Sequence, residues 1–271
     1  LVLFSLITVG YSANALGGAG GPLAVLIIAI AAAELGKAVS KETKVDILVT
    51  PLVTIFAGVG LSMLIAAPIG AAASQVGTLI MWATEQAPLV MGILVSVIVG
   101  VALTLPISSA AICAALGLTG LAGGAAVAGC CAQMVGFAVM SYKENGVGGL
   151  VSQGLGTSML QMGNIIKNPR IWIAPTLASA ITGPLATCLF HFEMNGAAVS
   201  SGMGTCGLVG QIGVYTGWVS DIAAGTKAAI TPMDWAAMVL LCFVLPAVLS
   251  VVFCEVERKL GWIKEGDLKL N

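Results

Sequence analysis

The sequence predicts an all-α, polytopic membrane protein whose broken or re-entrant helices surround a central polar cavity. Hydrophobic residues occupy 58% of the 271 positions and charged residues only 8%, whereas a soluble domain carries about 25% charged residues. The 35 glycines also let neighbouring helices approach closely and permit breaks that line a cavity. Lipid is therefore the solvent for most of this chain.

Charge and cysteine usage exclude several other classes of protein. A net charge of −1 provides no basic surface for nucleic acid. The seven cysteines fall mostly in apolar runs, which is typical of small buried side chains. Neither they nor the one histidine follow a metal-binding spacing, and no nucleotide-binding motif occurs. We therefore expect no cofactor, no metal and no nucleic-acid partner.

Clusters of charged residues separate the apolar runs, and each run of about 20 residues predicts a membrane helix. The chain starts inside such a run, so residues 1–17 are expected to be a truncated first helix. Pro51 and Pro68 predict an interruption and an end within the third run. The complete predicted spans are 22–39, 47–67, 89–105, 121–141, 171–192 and 235–254. Residues 1–254 thus form one predicted transmembrane domain, followed by a charged, solvated tail over 255–271.

Shorter segments lie between these spans and are expected to be broken or interfacial. Residues 70–87 carry several polar groups and predict a helix in the membrane interface. A loop is predicted over 143–149 and an amphipathic helix over 150–167. Two further segments, 106–120 and 208–219, are too short to cross a bilayer alone.

A series of uncharged polar residues, here called the amide ladder, follows the predicted loop. Its steps of four, four, three and four residues would place all members on one face of a helix. Such groups are costly in lipid, so they should face protein or a wet cavity. Amides and hydroxyls both donate and accept, which suits a neutral polyol, although polar contacts between helices explain the pattern equally well. The ladder consists of Gln153, Thr157, Gln161, Asn164 and Asn168.

A second polar group follows the span at 171–192 and contains His191, Glu193 and Asn195. Small residues continue from there to Gly207, and a short apolar segment follows. A helix end, an unwound stretch and a short helix describe a re-entrant hairpin, which membranes tolerate only where it lines a cavity. Glu193 could then bind a substrate hydroxyl or act as a base. Alternatively, these residues end the helix at the membrane boundary.

Two serines follow a proline at the start of the short segment 106–120. Pro106 breaks the preceding helix, and Ser108 and Ser109 stand at the break. The free N–H groups of a helix N-terminus can hold a polar ligand. An ordinary N-cap is the alternative interpretation.

Three stretches of the chain are similar to bacterial IIC membrane components of sugar phosphotransferase systems. They are PISSAAICAALGLTGLAGGAAVAGCCAQMVGFAVMSYKENG, GLVSQGLGTSMLQMGN and the region from Gly163 to Gly217. The nearest branch is the compact one called PfoR-like, whose members are described as toxin regulators. The resemblance spans about residues 22–235, and Asn168-Pro169 resembles the Asn-Pro that precedes an apolar helix in IIC proteins.

This resemblance implies a homodimer in the bacterial inner membrane, re-entrant hairpins, and a sugar site closed by polar side chains. It also implies a separate IIB protein that phosphorylates the bound sugar, so enzymatic phosphotransfer would require that partner. IIC sites use a glutamate and a histidine, for which Glu193 and His191 are the candidates here. The two are adjacent rather than separated, and the glutamate-proline motif of the larger diacetylchitobiose-type IIC has no match.

The sequence therefore predicts a multi-pass permease or binding protein for a neutral polar solute, a sugar or polyol. Gln153, Gln161, Asn168 and Glu193 are expected to hold its hydroxyls within a single cavity. Two alternatives remain open at this stage. One is a membrane sensor that binds the same kind of ligand without transport, and the other is an ion-coupled carrier of a small organic solute with Glu193 as the coupling acid.

Overall fold

The computed structural model describes residues 21–40 and 46–270. Within these ranges every regular element is helical, and the one β-bridge joins Gly120 and Met194. The predicted all-α class is confirmed. The predicted truncated helix at 1–17 lies outside the described residues.

The described residues divide into two compact units, of which the first comprises residues 21–40, 46–77 and 114–116. Helix α1 (Gly21–Val39) packs against α2 (Asp46–Gln86) through Ala24, Ile28 and Ala66. The predicted break at Pro51, the predicted end at Pro68 and the separate interfacial segment are wrong, because α2 is continuous through all three. In an apolar solvent an unpaired backbone group is costly, so the helix persists on both sides of each proline.

The second unit comprises residues 78–113 and 117–271 and holds the functional groups of interest. After α1 and α2, the helices are α3 (Pro88–Thr104), α4 (Ser109–Leu116), α5 (Gly120–Met140), α6 (Tyr142–Val151), α7 (Met162–Lys167), α8 (Ile173–Pro184), α9 (Val209–Ala223), α10 (Pro232–Val239) and α11 (Leu245–Lys259). The central helix of the unit is α5, which is almost entirely buried and consists largely of glycine, alanine and cysteine. Small side chains let α3, α8 and α11 pack closely around α5.

Among the described residues, four helical stretches are long and apolar enough to cross a membrane, and α3 is a shorter apolar helix. Two of the stretches contain π-helical turns, at Leu185–Leu189 after α8 and at Leu240–Val244 between α10 and α11. The predicted multi-pass architecture with broken helices is therefore confirmed. The four stretches are Leu48–Gln86, Gly120–Met140, Pro169–Leu189 and Pro232–Lys259.

Two apolar clusters lie at opposite ends of the second unit. Three helical stretches, namely α5, α8 with its π turn, and α10 with α11, contribute to both clusters. Along α8 and the π turn that follows it, Ala174 belongs to one cluster and Ala186 to the other. A twelve-residue helical rise places these residues about 18 Å apart. We call the end with Ala186, Phe192 and Trp218 the pocket end, and the end with Ala174 and Leu268 the tail end.

The predicted amphipathic helix at 150–167 is wrong, because the chain reverses there. A π turn at Ser152–Gly156 leads to an extended Thr157 (φ −160°), a 3-10 turn at Ser158–Gln161, and then α7. Two glycines in the π turn lower the helix propensity at the break. The predicted loop over 143–149 is also wrong, since α6 covers it with a kink at Gly146, whose φ is +58°.

A second reversal occupies the polar, glycine-rich stretch after α8. The chain leaves the pocket end near Phe190, passes two short 3-10 turns, and returns through α9. The two reversals meet alongside α5, where the Thr205 hydroxyl donates to the Gly154 carbonyl over 2.6 Å. Thr205 also lies 3.6 Å from the sulfur of Met134 on α5. Two broken segments that enter from opposite ends thus touch at their tips.

Candidate functional site

A cavity of about 500 Å³ opens at the pocket end of the second unit. Three elements form it: the extended segment after α8, the end of α9 with its following loop, and the start of α10. Its lining combines aromatic, acidic and basic side chains. The lining residues are Phe190, His191, Phe192, Glu193, Asn195, Trp218, Asp221, Thr226, Lys227, Met233, Asp234 and Ala237.

Backbone pairing fixes the direction of the side chains between Phe190 and Asn195. Gly120 and Met194 exchange two backbone hydrogen bonds of 3.0 Å, and the Phe192 N–H donates to Ala186 over 2.8 Å. Because the backbone is paired at Met194, the neighbouring side chains of Glu193 and Asn195 point to the side opposite to Met194. Met194 is buried in the apolar cluster, whereas Glu193 and Asn195 line the cavity.

Glycines on two helices permit this close backbone approach. A Cβ at Gly124 of α5 would overlap the carbonyl oxygen of Phe192. A Cβ at Gly217 of α9 would lie only 2.8 Å from the backbone nitrogen of Asn195. The extended segment can therefore lie directly against α5 and α9, and these glycines fix where Glu193 and Asn195 stand.

Asn195 joins two carboxylates across the cavity. Its Nδ2 donates to Glu193 Oε2 at 3.1 Å and to Asp221 Oδ2 at 2.9 Å. These bonds leave the side-chain oxygen Oδ1 of Asn195 unused, as well as Glu193 Oε1 and Asp221 Oδ1. Three polar groups are thus held in a fixed arrangement with acceptor capacity left over.

The opposite wall is organised around Asp234, which has a structural role. Its Oδ2 accepts from the backbone N–H and the hydroxyl of Thr231 at 2.7 and 2.9 Å. The backbone bond, together with the 3.3 Å bond from Asp234 N to the Thr231 hydroxyl oxygen, forms the capping box of α10. Its Oδ1 accepts from Lys227 Nζ at 2.8 Å. The same ammonium lies 5.4 Å from the centre of the Trp218 ring, so Lys227 has two partners that hold it in place.

The cavity is acidic, and its tryptophan is nearly buried. Glu193, Asp221 and Asp234 provide three carboxylates against the single ammonium of Lys227. Trp218 is only 4% exposed and packs edge-on against Trp235 at 5.6 Å. Excess carboxylate attracts groups that donate hydrogen bonds and repels anions. This arrangement can bind solute hydroxyls.

Three members of the amide ladder form a continuous chain at the tail end. Gln153 Nε2 donates to the Ser141 hydroxyl at 2.7 Å, and Gln161 Nε2 donates to Gln153 Oε1 at 2.9 Å. Asn164 Nδ2 donates to Gln161 Oε1 at 2.7 Å. Thr157 instead caps the 3-10 turn, since its hydroxyl accepts from Met159 N at 3.2 Å. The three amides are thus linked by hydrogen bonds, although they do not lie on the predicted single helix.

Residues 260–270 pack over the amide ladder, whereas the sequence predicts a solvated tail there. Ile263 and Leu268 are 3% and 0% exposed, whereas Lys264, Glu265 and Lys269 are exposed as expected. The physical reason is the sequence pattern, in which two apolar side chains among polar ones bury themselves against the tail-end cluster. Helix α11 also continues to Lys259, beyond the predicted end at 254.

The serines at the break before α4 lie in neither region. Ser108 Oγ accepts from Ala111 N at 3.2 Å, which is the capping geometry. Ser109 is 3% exposed, and its hydroxyl donates to the Gly202 carbonyl at 2.7 Å. This bond joins the start of α4 to the reversal after α8.

The structure therefore divides the predicted site residues between the two ends. His191, Glu193 and Asn195 line the pocket, whereas the ladder contacts the end of the chain. Glu193 lines the cavity at the pocket end, whereas Asn164 and Asn168 line smaller cavities at the tail end. The prediction that both groups hold one solute stays a prediction.

Sequence reasoning missed several residues that the structure places in polar contacts. Asp221, Lys227 and Asp234 line the pocket, and charged residues around a turn are a signal in themselves in so apolar a chain. Gln133, buried in α5, accepts from Trp172 Nε1 at 3.0 Å and donates to Thr176 at 3.2 Å. A single amide in a run of small apolar residues was the available signal.

Comparison with known proteins identifies the family. The family model described as "Phosphotransferase system, EIIC" matches residues 3–270. The chain belongs to the phosphotransferase system EIIC family. Among curated proteins and solved structures, nothing matches the chain. The four apolar stretches and the broken segments are thus those of an EIIC-family membrane protein.

Proposed function

We propose that this EIIC-family protein is a permease component that binds a neutral polar solute, a sugar or polyol, at the pocket end. The observation that carries the proposal is the pair of carboxylates joined by Asn195 beside the nearly buried Trp218. The volume of about 500 Å³ lies within the range of small-molecule pockets.

The chemistry of the wall favours hydroxyl donors over charged solutes. Carboxylate oxygens only accept hydrogen bonds, and each solute hydroxyl can donate one. The apolar side of a sugar ring would lie against Phe190 and Met233, the large apolar lining residues that are half-buried and exposed, respectively. A phosphorylated sugar would be repelled by the excess of Glu193, Asp221 and Asp234 over Lys227.

The two reversals suggest a route for the solute. Broken segments that enter from opposite ends and meet alongside a central helix are a common arrangement in transporters. In this proposal the solute passes from the pocket to the contact between Thr205 and Gly154, and then to the amide ladder. Gln153, Gln161, Asn164 and Asn168 form the second polar station on that route.

The distribution of basic residues suggests the orientation. In the second unit, every lysine and arginine except Lys227 lies near the tail end, on α6, at the α7–α8 junction, or on α11 and the segment that follows it. Cytoplasmic segments of membrane proteins carry such an excess. We place the tail end in the cytoplasm, where a separate IIB protein would dock, and the pocket end outside. We further propose that the protein belongs to the PfoR-like branch, forms a homodimer and lies in the bacterial inner membrane.

A ligand sensor is the second candidate. It is favoured by the direct contact between the two tips and by the coverage of the ladder at the tail end, since both close the route. A sensor would bind the solute at the pocket end without carrying it across.

Calorimetric titration of the purified full chain in nanodiscs tests the binding proposal. The probes are glucose, N-acetylglucosamine, maltose, mannitol and glucose 6-phosphate. We expect at least one neutral probe to bind, glucose 6-phosphate to bind more weakly, and Glu193→Gln to weaken binding about tenfold, or about 1.4 kcal/mol. The matched control is Glu265→Gln, which neutralises an exposed acid at the tail end. Unchanged affinity in Glu193→Gln would contradict the proposal.

Uptake into vesicles separates the two candidates. A permease carries the bound probe across the membrane, with or without a phosphorylated IIB protein. A sensor binds the probe with the same affinity and gives no uptake.

A further inference from the structure

We propose that residues 260–270, here called the tail segment, are a removable cover that occupies the amide ladder and must leave before solute can exit at the tail end. The inference rests on the proposed function for its transport step. The contacts that support the cover itself are independent of it.

Two side chains of α6 hold the backbone of the tail segment. Glu144 Oε2 accepts from Leu268 N at 2.9 Å, and Glu144 Oε1 accepts from Gly266 N at 3.3 Å. Asn145 Nδ2 donates to the Leu268 carbonyl at 2.8 Å, and its Oδ1 accepts from Leu270 N at 2.8 Å. These contacts bind the main chain rather than exposed side chains.

The same segment supplies acceptors to the amide donors of the ladder. Gln161 Nε2 donates to the Leu268 carbonyl at 2.9 Å, and Asn164 Nδ2 donates to the Lys269 carbonyl at 3.0 Å. Asn168 Nδ2 donates to the Trp262 carbonyl at 2.9 Å. A carbonyl oxygen and a hydroxyl oxygen both accept from an amide. The tail segment therefore occupies the positions that the hydroxyls of a polyol would take.

The tail segment also divides the space around Asn164. One cavity of about 180 Å³ is lined by Asn164, Asn168 and Asp267, among others. A second, of about 360 Å³, is lined by Asn164, Leu160 and Leu270, among others. Both include Asn164 and residues of the tail segment, so departure of the segment would join them into one polar cavity over the ladder.

The attachment is suited to release as a unit. The tail segment contains no helix of its own beyond turns, and only Ile263 and Leu268 bury large apolar side chains. Its hold on α6 depends on Glu144 and Asn145, and Glu144 also pairs with Arg258 at 3.1 Å. A segment with few buried apolar contacts is one that opens locally before the rest of the fold.

Hydrogen–deuterium exchange of the full chain in nanodiscs tests the cover. In Glu144→Gln we expect exchange in the tail segment to rise about tenfold, because the acceptor that binds two of its amides is weakened. Glu265→Gln lies in the same segment with an exposed side chain and should leave exchange unchanged. Leu268→Ser provides a second opening variant, with circular dichroism as the check on folding.

Labelling and transport then test what the cover occludes. Asn164 is 8% exposed, and a cysteine introduced by Asn164→Cys should react with a polar maleimide several-fold faster when combined with Glu144→Gln. Exit of a transported probe at the tail end should also accelerate in Glu144→Gln. Unchanged exchange in both opening variants would overturn the cover. Raised exchange without faster labelling would show that the segment does not occlude the ladder and would overturn it equally.

Transport results distinguish failure of this inference from failure of the proposed function. If the wild type carries a probe and its exit rate is the same in Glu144→Gln, the exit step of the inference is wrong while the permease stands. If the wild type neither binds nor carries any probe, the proposed function fails, and the cover is judged by exchange and labelling alone.

Discussion

The two ends of the second unit use similar polar side chains in opposite ways. At the pocket end, Asn195 holds Glu193 and Asp221 together and leaves acceptor oxygens facing an open cavity. At the tail end, the donors of Gln161 and Asn164 are taken by backbone carbonyls of the chain's own last residues. Polar residues in an apolar chain therefore mark a ligand site only where the chain does not itself supply their partners.

The largest effect on stability should come from filling the space in which residues 190–195 lie against α5. Gly124→Ala places a Cβ against the Phe192 carbonyl, and overpacking against backbone should destabilise the protein by about 3 kcal/mol. Gly148→Ala is the matched control, because nothing lies within 4 Å of a Cβ there. Denaturant unfolding in detergent measures both, and equal stability of the two variants would contradict the described position of the segment.

Breaking the amide chain at the tail end should have the next largest effect. Gln161→Leu removes the donor to the buried Gln153 Oε1 and one of the two acceptors of Asn164 Nδ2, which should cost about 2 kcal/mol of unfolding free energy. Gln211→Leu is the comparison, since Gln211 Oε1 is buried without a partner among the described residues and its Nε2 contacts only a cysteine sulfur. We expect a cost below about 1 kcal/mol there. The same unfolding assay tests the order, and a larger cost at Gln211 would contradict it.

A smaller effect, on binding rather than on stability, is expected from Asn195→Ala. Without the amide, Glu193 and Asp221 repel each other and separate. Affinity for a neutral probe should fall about tenfold, equivalent to about 1.4 kcal/mol, while the melting temperature changes little because the site is only half-buried. Calorimetry measures the affinity. A large loss of stability with unchanged affinity would assign Asn195 to the fold instead.

The smallest effect should come from the exposed ion pair of Lys143 with Glu255. The two groups lie 2.9 Å apart but are 71% and 47% exposed, so Lys143→Gln should leave the melting temperature unchanged. The neighbouring Glu144→Gln should lower it, because Glu144 and Arg258 are only 11% and 16% exposed. A thermal-shift comparison of the two variants checks this, and equal shifts would contradict the role given to Glu144.

Composition was sufficient to predict the all-α, multi-pass class, because a chain with so few charged residues cannot cover the surface of a soluble protein. The polar segment from His191 to Asn195 was also identified correctly as a break after a span. Periodicity failed between 150 and 167, because glycines at 154 and 156 allow a reversal that a helical pattern cannot reveal. The helix breaks predicted from Pro51 and Pro68 were wrong, because the apolar solvent preserves α2 across both prolines.

The partners of the polar residues could not be predicted from local sequence. Asp221 lies 26 positions from Asn195, and Leu268 lies 107 positions from Gln161. Such pairs depend on how helices assemble, and spacing along one helix carries no information about them. The separation of the ladder from Glu193 was missed for the same reason, because it depends on how the helices assemble.

The most direct test of the account is hydrogen–deuterium exchange of the full chain with and without a saturating neutral sugar or polyol that binds in the calorimetric panel. The account predicts protection of residues 190–195 and of the turn between α9 and α10, where the pocket is lined. It also predicts no added protection at the ladder. Protection confined to residues 142–168, with no change at 190–195, would contradict the assignment of the solute site to the pocket end.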